Sequence, residues 1–435
     1  MKRLIAIHLH SHAVMASPIP HQTARLGLLI IANFLLGCAD SRIVNGPLKP
    51  LSPARSPDFR QAVSSVLGGA QLPGNRITTL INGDQIFPAM LREIRAAKKT
   101  ITLETYVFEE GKVPRAFAEA LAERARAGVK VHLMLDALGA QNSRVYHSML
   151  TEAGAQIVRY HTIWFLDPRR LNNRTHRKLL VVDGKVGFIG GVGIADQWAG
   201  NADSPEHWRD CHYRVEGPVV AQFQAAFADN WLKARHELLF GPDYFPPLRR
   251  VGSVSGNVFH SSPLGGDYGV PILYHLAIAS ARKTLRIESA YFLPDRDTVA
   301  ALVAAAKRGV LVQIIVPDRY TDSRVIRRAS HKRWPELLEA GVEIYEYRPT
   351  MIHSKLLIVD GVFVSVGSAN FDHRSLRLND EANLNVTDAA FASEQTRMFL
   401  RDLTSAQRVT LRSFRTKTAG EIPLQTLQTP VEGMF

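Results

Sequence analysis

Residues Ala96–Phe108 read AAKKTITLETYVF, and residues Ser280–Phe292 read SARKTLRIESAYF. Each runs from a basic helix end into a short β-rich stretch, and Glu104 falls opposite Glu288 in the comparison. Working outward, ERARAGVKVHLMLD (Glu123–Asp136) matches AAAKRGVLVQIIVPD (Ala304–Asp318), and LTEAGAQIVRY (Leu150–Tyr160) matches LLEAGVEIYEY (Leu337–Tyr347). Each of these is a helix closed by glycine and followed by a strand. The chain therefore carries an internal duplication, and its alternation of strands with helices predicts parallel βαβ units in an α/β fold.

The segment FGPDYFPPLRR (Phe240–Arg250) is rich in turn formers and reads as the connection between the copies. The expected organisation is a first half over 76–245, a second half over 246–415, a proline-rich tether over 39–75 and a loosely packed tail over 416–435. Residues 1–38 read as a leader. The apolar run LGLLIIANFLLG (Leu26–Gly37) is too short to span a bilayer but suits a signal-peptide core, and Arg25 flanks it. Leu35-Leu36-Gly37-Cys38 resembles a lipobox, which makes Cys38 the expected lipidation site and the cell envelope the expected location.

The chain has 435 residues, 46% hydrophobic and 21% charged, which excludes wholesale disorder and a polytopic membrane protein. A net charge of +13 favours anionic partners: a phospholipid surface, a phosphorylated substrate or nucleic acid. Two cysteines, Cys38 and Cys211, are too few for a disulfide framework.

Each half holds one copy of H-x-K-x-x-x-x-D: His176, Lys178 and Asp183 in HRKLLVVD, and His353, Lys355 and Asp360 in HSKLLIVD. If these stretches are strands, each histidine shares a face with the lysine two residues on, pairing a base with a cation. The aspartate has the opposite parity and precedes glycine, which signals a hairpin and a structural role. After the turns come VGFIGGVG (Val186–Gly193) and VFVSVGSAN (Val362–Asn370), where Ser368 and Asn370 share a face and are expected to donate to phosphate oxygens. A histidine acting as nucleophile or acid needs an orienting carboxylate, and Glu381 and Asp210 are the candidates.

With HRKLLVVDGKVGFIGG, WRDCHYRVEGP, RIESAYFLP and HSKLLIVDGVFVSVGSANFDHRSLRLNDEANL in order, the sequence over about 76–415 resembles the phospholipase D superfamily and, within it, the bacterial cardiolipin synthases. The resemblance implies two pseudo-symmetric α/β sandwich halves, mixed sheets flanked by helices, and one shared site at their interface, active as a monomer. It implies a catalytic set of His176, Lys178, Asp183, His353, Lys355 and Asp360, with Ser368, Asn370, Glu381, Asp210, Glu104 and Glu288 binding or orienting the substrate. One histidine, expected to be His176, forms a covalent phosphohistidine, and His353 serves as acid and base. No metal or other cofactor is implied, the lysines supplying the positive field.

The activity implied is phosphatidyl transfer, with phosphatidylglycerol as the expected substrate and cardiolipin as product. A phospholipase D making phosphatidic acid is the alternative, because water competes for the same intermediate. A superfamily nuclease is disfavoured by the absence of an interleaved aromatic and basic stretch, and a non-enzymatic scaffold by retention of both His-Lys pairs. One departure stands out: Gly191 and Gly193 occupy the positions of Ser368 and Asn370, so the first half lacks that side-chain donor, and backbone N–H groups are the expected substitute.

Overall fold

Five short, almost wholly buried strands carry the site. They are β2 (Thr100–Thr105), β5 (Leu179–Val182) and β6 (Val186–Gly190) in the first half, with β13 (Leu356–Val359) and β14 (Phe363–Gly367) in the second. The apolar runs LLVV and LLIV fit strands covered on both faces, and TITLET is equally buried although Thr and Glu make up four of its six residues. The computed structural model describes residues 46–160, 173–263 and 266–414, all within one compact unit, Val44–Phe435. The expected leader, the lipidation site Cys38 and the tail over 416–435 lie outside the described residues.

Fifteen strands of the described residues form one mixed sheet, and two more, β10 (Phe292–Leu293) and β15 (Phe371–Asp372), pair in parallel apart from it. In the first half the order runs β4 (Gln156–Tyr160), β3 (Lys130–Asp136), β2, β5, β6, β7 (Cys211–Glu216), β1 (Leu72–Ile81). In the second it runs β12 (Glu343–Tyr347), β11 (Leu311–Pro317), β9 (Thr284–Glu288), β13, β14, β16 (Glu381–Thr387), β8 (Val254–Ser261), with β17 (Ala406–Val409) added beyond β12. The two lists correspond strand for strand. Parallel pairing joins β2 to β3 and β3 to β4, as it joins β9 to β11 and β11 to β12. Antiparallel pairing of β1 with β8 joins the halves into one sheet, so the expected separate layers are continuous.

Alternation along the motif strands divides the core. Leu180 and Val182 point into the first half's own core, with helices α2 (Asn82–Ala96) and α3 (Lys112–Arg126) covering it. Leu179 and Val181 point the other way and meet Leu356, Ile358, Val364 and Val366 in a core shared by both halves. The motif strands thus hold the halves face to face, and the site lies at their ends.

The tether over 39–75 requires correction. Within it, α1 (Pro57–Leu67) starts at a Ser56 cap with proline at its first position, and its Phe59 and Val63, one turn apart, are buried in the second half's core. The Phe59 ring meets Phe363 edge to face, 5.3 Å between centroids. Residues 72–75, also assigned to the tether, begin β1. The helical signal is present, with Phe59, Val63, Val66 and Leu67 at i, i+4, i+7 and i+8 after the Ser56-Pro57 start, but the surrounding prolines made the stretch read as a tether.

Candidate active site

His176 and Lys178 precede β5, and His353 and Lys355 precede β13, each on an extended segment outside the sheet rather than on the strand itself. These segments are held by the opposite half. The His176 N–H donates to the Asp380 carbonyl at 2.9 Å, and the Asp380 N–H returns a bond to Arg174. Equivalently, the His353 N–H donates to the Arg209 carbonyl at 2.7 Å, and the Arg209 N–H returns one to Met351. Each bridge puts the next residue's carboxylate beside the imidazole.

The consequence is a crossed arrangement. Glu381, from the second half, accepts from Nδ1 of His176 with both oxygens at 3.0 Å, while Asp210, from the first half, accepts from Nδ1 of His353 at 2.8 Å. With Nδ1 engaged, Nε2 is the nitrogen left for chemistry on each ring. Each lysine Nζ donates to the carbonyl of its own histidine, 2.9 Å for Lys178, and Lys355 Nζ also lies 3.2 Å from Nε2 of His353. His176, Lys178, His353 and Asn370 line one cavity of about 590 Å³, which Tyr106, Trp208, Tyr291 and Asp322 also border.

Burial governs the charges. It pushes His176 down to about 4, with Lys178 adding to the effect against the pull of Glu381, and it pushes His353 down to about 3, with Lys355 adding to the effect. Both rings are therefore neutral at neutral pH. Burial also lowers Lys178 to about 7 and Lys355 to about 8, with Lys355 further lowering Lys178. Burial acts to raise Glu381 and Asp210, but their histidine and lysine neighbours outweigh it and hold both carboxyls low. The cavity brings two neutral imidazoles together with Lys178, Arg174 and Arg374, cations suited to an anionic phosphodiester.

Several expected residues take other places. Asp183 and Asp360 are not with the histidines: each sits at the far hairpin with φ of +52° and +49°, accepting from three backbone N–H groups, Lys98 to Thr100 and Arg282 to Thr284. They hold the start of β2 and β9, and their place in the catalytic set is corrected. Ser368 is no phosphate donor either. It is fully buried and its hydroxyl donates to Glu381 at 2.5 Å, as Ser375 does to the other oxygen at 2.6 Å. Glu104 and Glu288 lie beneath the site, accepting from Thr175 and Ser354 beside the two histidines, so they position the motif backbone rather than bind substrate. Burial pushes Glu104 up, and burial with Asp402 nearby pushes Glu288 to about 8.

The glycines at 191 and 193 have a spatial cause. A Cβ on Gly191 would fall 2.4 Å from Asp210, and one on Gly193 would fall 2.8 Å from Val107 and 2.9 Å from the Trp198 ring. Trp198 Nε1 donates to Asp210 at 3.0 Å, the service that Ser368 performs for Glu381. The backbone substitute expected at Gly191 fails, because its N–H already donates to the Cys211 carbonyl. Sequence reading missed Trp198, Trp208 and Tyr291 around His353. Their signal was the aromatic character of WRDC and AYF, which only the crossed fold brings together.

A family model described as "Cardiolipin synthase, PLD-like domain" matches residues 90–231 and 274–403, one copy in each half. The chain is 34% identical over 371 residues to a cardiolipin synthase of Geobacillus kaustophilus, covering 84% of this chain and 73% of the relative. It is 34% identical over 342 residues to cardiolipin synthase A of Pseudomonas fluorescens, covering 78% and 70%. The crystal structure of a phosphatidylserine synthase from Haemophilus influenzae matches in fold with a TM-score of 0.60 over 87% of this chain and all of that one, at 12% identity. Two copies of the domain, placed where the two His-Lys segments converge, make the chain a member of the cardiolipin synthase family of the phospholipase D superfamily.

Proposed function

We propose that the protein transfers a phosphatidyl group from one phosphatidylglycerol to another, making cardiolipin and releasing glycerol. The observation that carries this reading is the crossed pair of neutral, carboxylate-held histidines in one cationic cavity, in a chain whose relatives are named cardiolipin synthases. Nε2 of His176 attacks phosphorus, the bond from phosphorus to the glycerol oxygen breaks, and that oxygen takes a proton from His353. The phosphodiester brings the negative charge that offsets Lys178 and Lys355. That charge offsets Lys355, the cause second to burial of the low proton affinity of His353, and it favours the imidazolium that forms when Nε2 takes a proton from solvent as the substrate binds. The incoming alcohol then returns its proton to His353 as its oxygen displaces His176.

His176 is assigned as nucleophile because Glu381 grips it with both oxygens and is itself held by two serines, which stabilises the imidazolium character of a phosphohistidine. The substrate lies in a bilayer, and the cavity rim suits an anionic one. Leu138 lines the cavity and is exposed at 44%, and Val145 and Val325, exposed at 57% and 41%, each follow an exposed arginine in the sequence, Arg144 and Arg324. Among the described residues no helix is long and apolar enough to cross a membrane.

The test is product analysis with phosphatidylglycerol vesicles in EDTA. Cardiolipin and glycerol, absent with His176→Ala and His353→Ala, are expected. Phosphatidic acid alone would make water the acceptor and overturn the transferase reading in favour of a phospholipase D.

A further inference from the structure

The fold repeats, but the two sides of the cavity differ in chemistry. Around His176 stands Tyr106, 5.4 Å between ring centroids, with Lys178 Nζ 5.6 Å from the tyrosine ring. Around His353 stand Trp198 and Trp208, each at 5.3 Å, and Tyr291 at 6.2 Å. The Tyr291 hydroxyl donates to Oδ2 of Asp322, a solvent-reached carboxylate that borders the cavity from the loop after β11. Asp210 and Glu381 serve the histidines, Asp372 accepts from the Ser375 N–H, and Glu109 also borders the cavity, but Asp322 is the lining carboxylate held by an aromatic hydroxyl from beside His353.

A carboxylate repels phosphate, so Asp322 has no use on the phosphate side. It accepts hydrogen bonds from hydroxyl groups, and aromatic faces pack against the carbon backbone of an alcohol. Displacement at phosphorus is in line, so with His176 attacking from one side, alcohols leave and enter on the His353 side. That side is where Asp322 stands.

We infer that Asp322, positioned by Tyr291, selects the acceptor alcohol by binding a second hydroxyl next to the reacting one, so that the site takes a polyol such as the glycerol headgroup in preference to a simple alcohol or water. The inference rests on the proposed transferase reading and on His176 as nucleophile. In the step concerned, the reacting hydroxyl gives its proton to Nε2 of His353, its oxygen bonds to phosphorus, and the bond from phosphorus to His176 breaks. The neighbouring hydroxyl stays bonded to Asp322 throughout. Water has no second hydroxyl to be held, so transfer outruns hydrolysis. Sites built to hydrogen-bond a substrate hydroxyl discriminate strongly against analogues that lack it.

The experiment supplies phosphatidylglycerol vesicles together with deuterated glycerol, propan-1-ol or ethanolamine and measures the labelled phosphatidylglycerol, phosphatidylpropanol, phosphatidylethanolamine and phosphatidic acid formed. The full-length protein is expected to favour glycerol over propan-1-ol by about tenfold or more. Asp322→Asn should bring that ratio towards one and raise the phosphatidic acid share, and Tyr291→Phe should lower it part of the way. Because the readout is a ratio, it does not depend on how much of a variant folds. An unchanged ratio in both variants, with phosphohistidine still trapped, would overturn the inference and leave the transferase reading standing. A preference for ethanolamine over glycerol that vanishes in Asp322→Asn would overturn it in favour of a cation site. No phosphohistidine and no product with any acceptor would overturn the transferase reading and this inference together.

Discussion

At His176 the chemistry is set by a choice between burial and charge. Burial and two lysines hold the ring neutral, while Glu381 accepts from Nδ1 and leaves Nε2 open for the attack proposed above. Glu381→Gln keeps the shape but loses the charge that supports the phosphohistidine, and kcat is expected to fall by about 10²–10⁴-fold, as when the orienting carboxylate of a triad is neutralised. Steady-state kinetics with phosphatidylglycerol checks this, and a fall under threefold would contradict it. The lysines impose a pH dependence whose sign is fixed. Lys178 and Lys355 lose their protons as pH rises through about 7 and about 8, so phosphate affinity falls and KM rises across that window. A KM flat from pH 6 to 9 would show that the lysines do not bind the phosphodiester. Gly193 belongs at this scale too. Gly193→Asn, which gives the first half the asparagine found at Asn370, drives its Cβ into Val107 and Trp198 and should lower activity instead of restoring symmetry.

Among the elements, the motif strands and the helix outside the repeats behave differently. β5 and β13 were legible because duplication made two short patterns confirm each other, and alternation separated Leu179 and Val181 from Leu180 and Val182, as the two cores show. The aspartates were legible as turn residues from the Asp-Gly pairs, although the motif pattern placed them in the catalytic set. The partners of Glu381 and Asp210 were not legible. Both acids could be named from sequence, but a bond spanning 205 residues in one case and 143 in the other depends on how the halves face each other. The helix α1 was missed although Phe59, Val63, Val66 and Leu67 follow helical spacing, because the prolines around it read as a tether and the core it packs on lies in the second half. Phe59→Ala should destabilise the protein by about 3–5 kcal/mol, measured by denaturant unfolding. A loss below 1 kcal/mol would mean that α1 is dispensable to the second half's core.

For the whole molecule, the crossed carboxylates mean that neither half owns a complete site: each supplies a histidine, a lysine and the acid that orients the other's histidine. Duplication followed by exchange of contacts explains why the sheet is continuous through β1 and β8 and why a third core lies between the halves. It also explains how similar halves become chemically unequal. Gly191 and Trp198 serve Asp210 where Ser368 and Ser375 serve Glu381, leaving one histidine gripped for covalent work and the other ringed by aromatic groups. The proposed approach to a lipid surface rests on exposed Leu138 at the cavity and on exposed Val145 and Val325, each next to an exposed arginine in the sequence. Replacing Val145 and Val325 with aspartate should weaken sedimentation with anionic vesicles by about tenfold while leaving the unfolding midpoint within a degree or two. Equal sedimentation would place membrane contact elsewhere.

The account turns on a covalent bond between phosphorus and His176, held by a carboxylate from the other half. The most direct measurement is mass spectrometry of peptides from the protein with both histidines intact, quenched within the first turnover of phosphatidylglycerol, since His353 is needed as the acid that forms the intermediate. A phosphatidyl adduct on the peptide containing His176, lost in Glu381→Gln, is the result predicted. An adduct on the His353 peptide, with none on His176, would contradict it and reverse the roles of the two histidines.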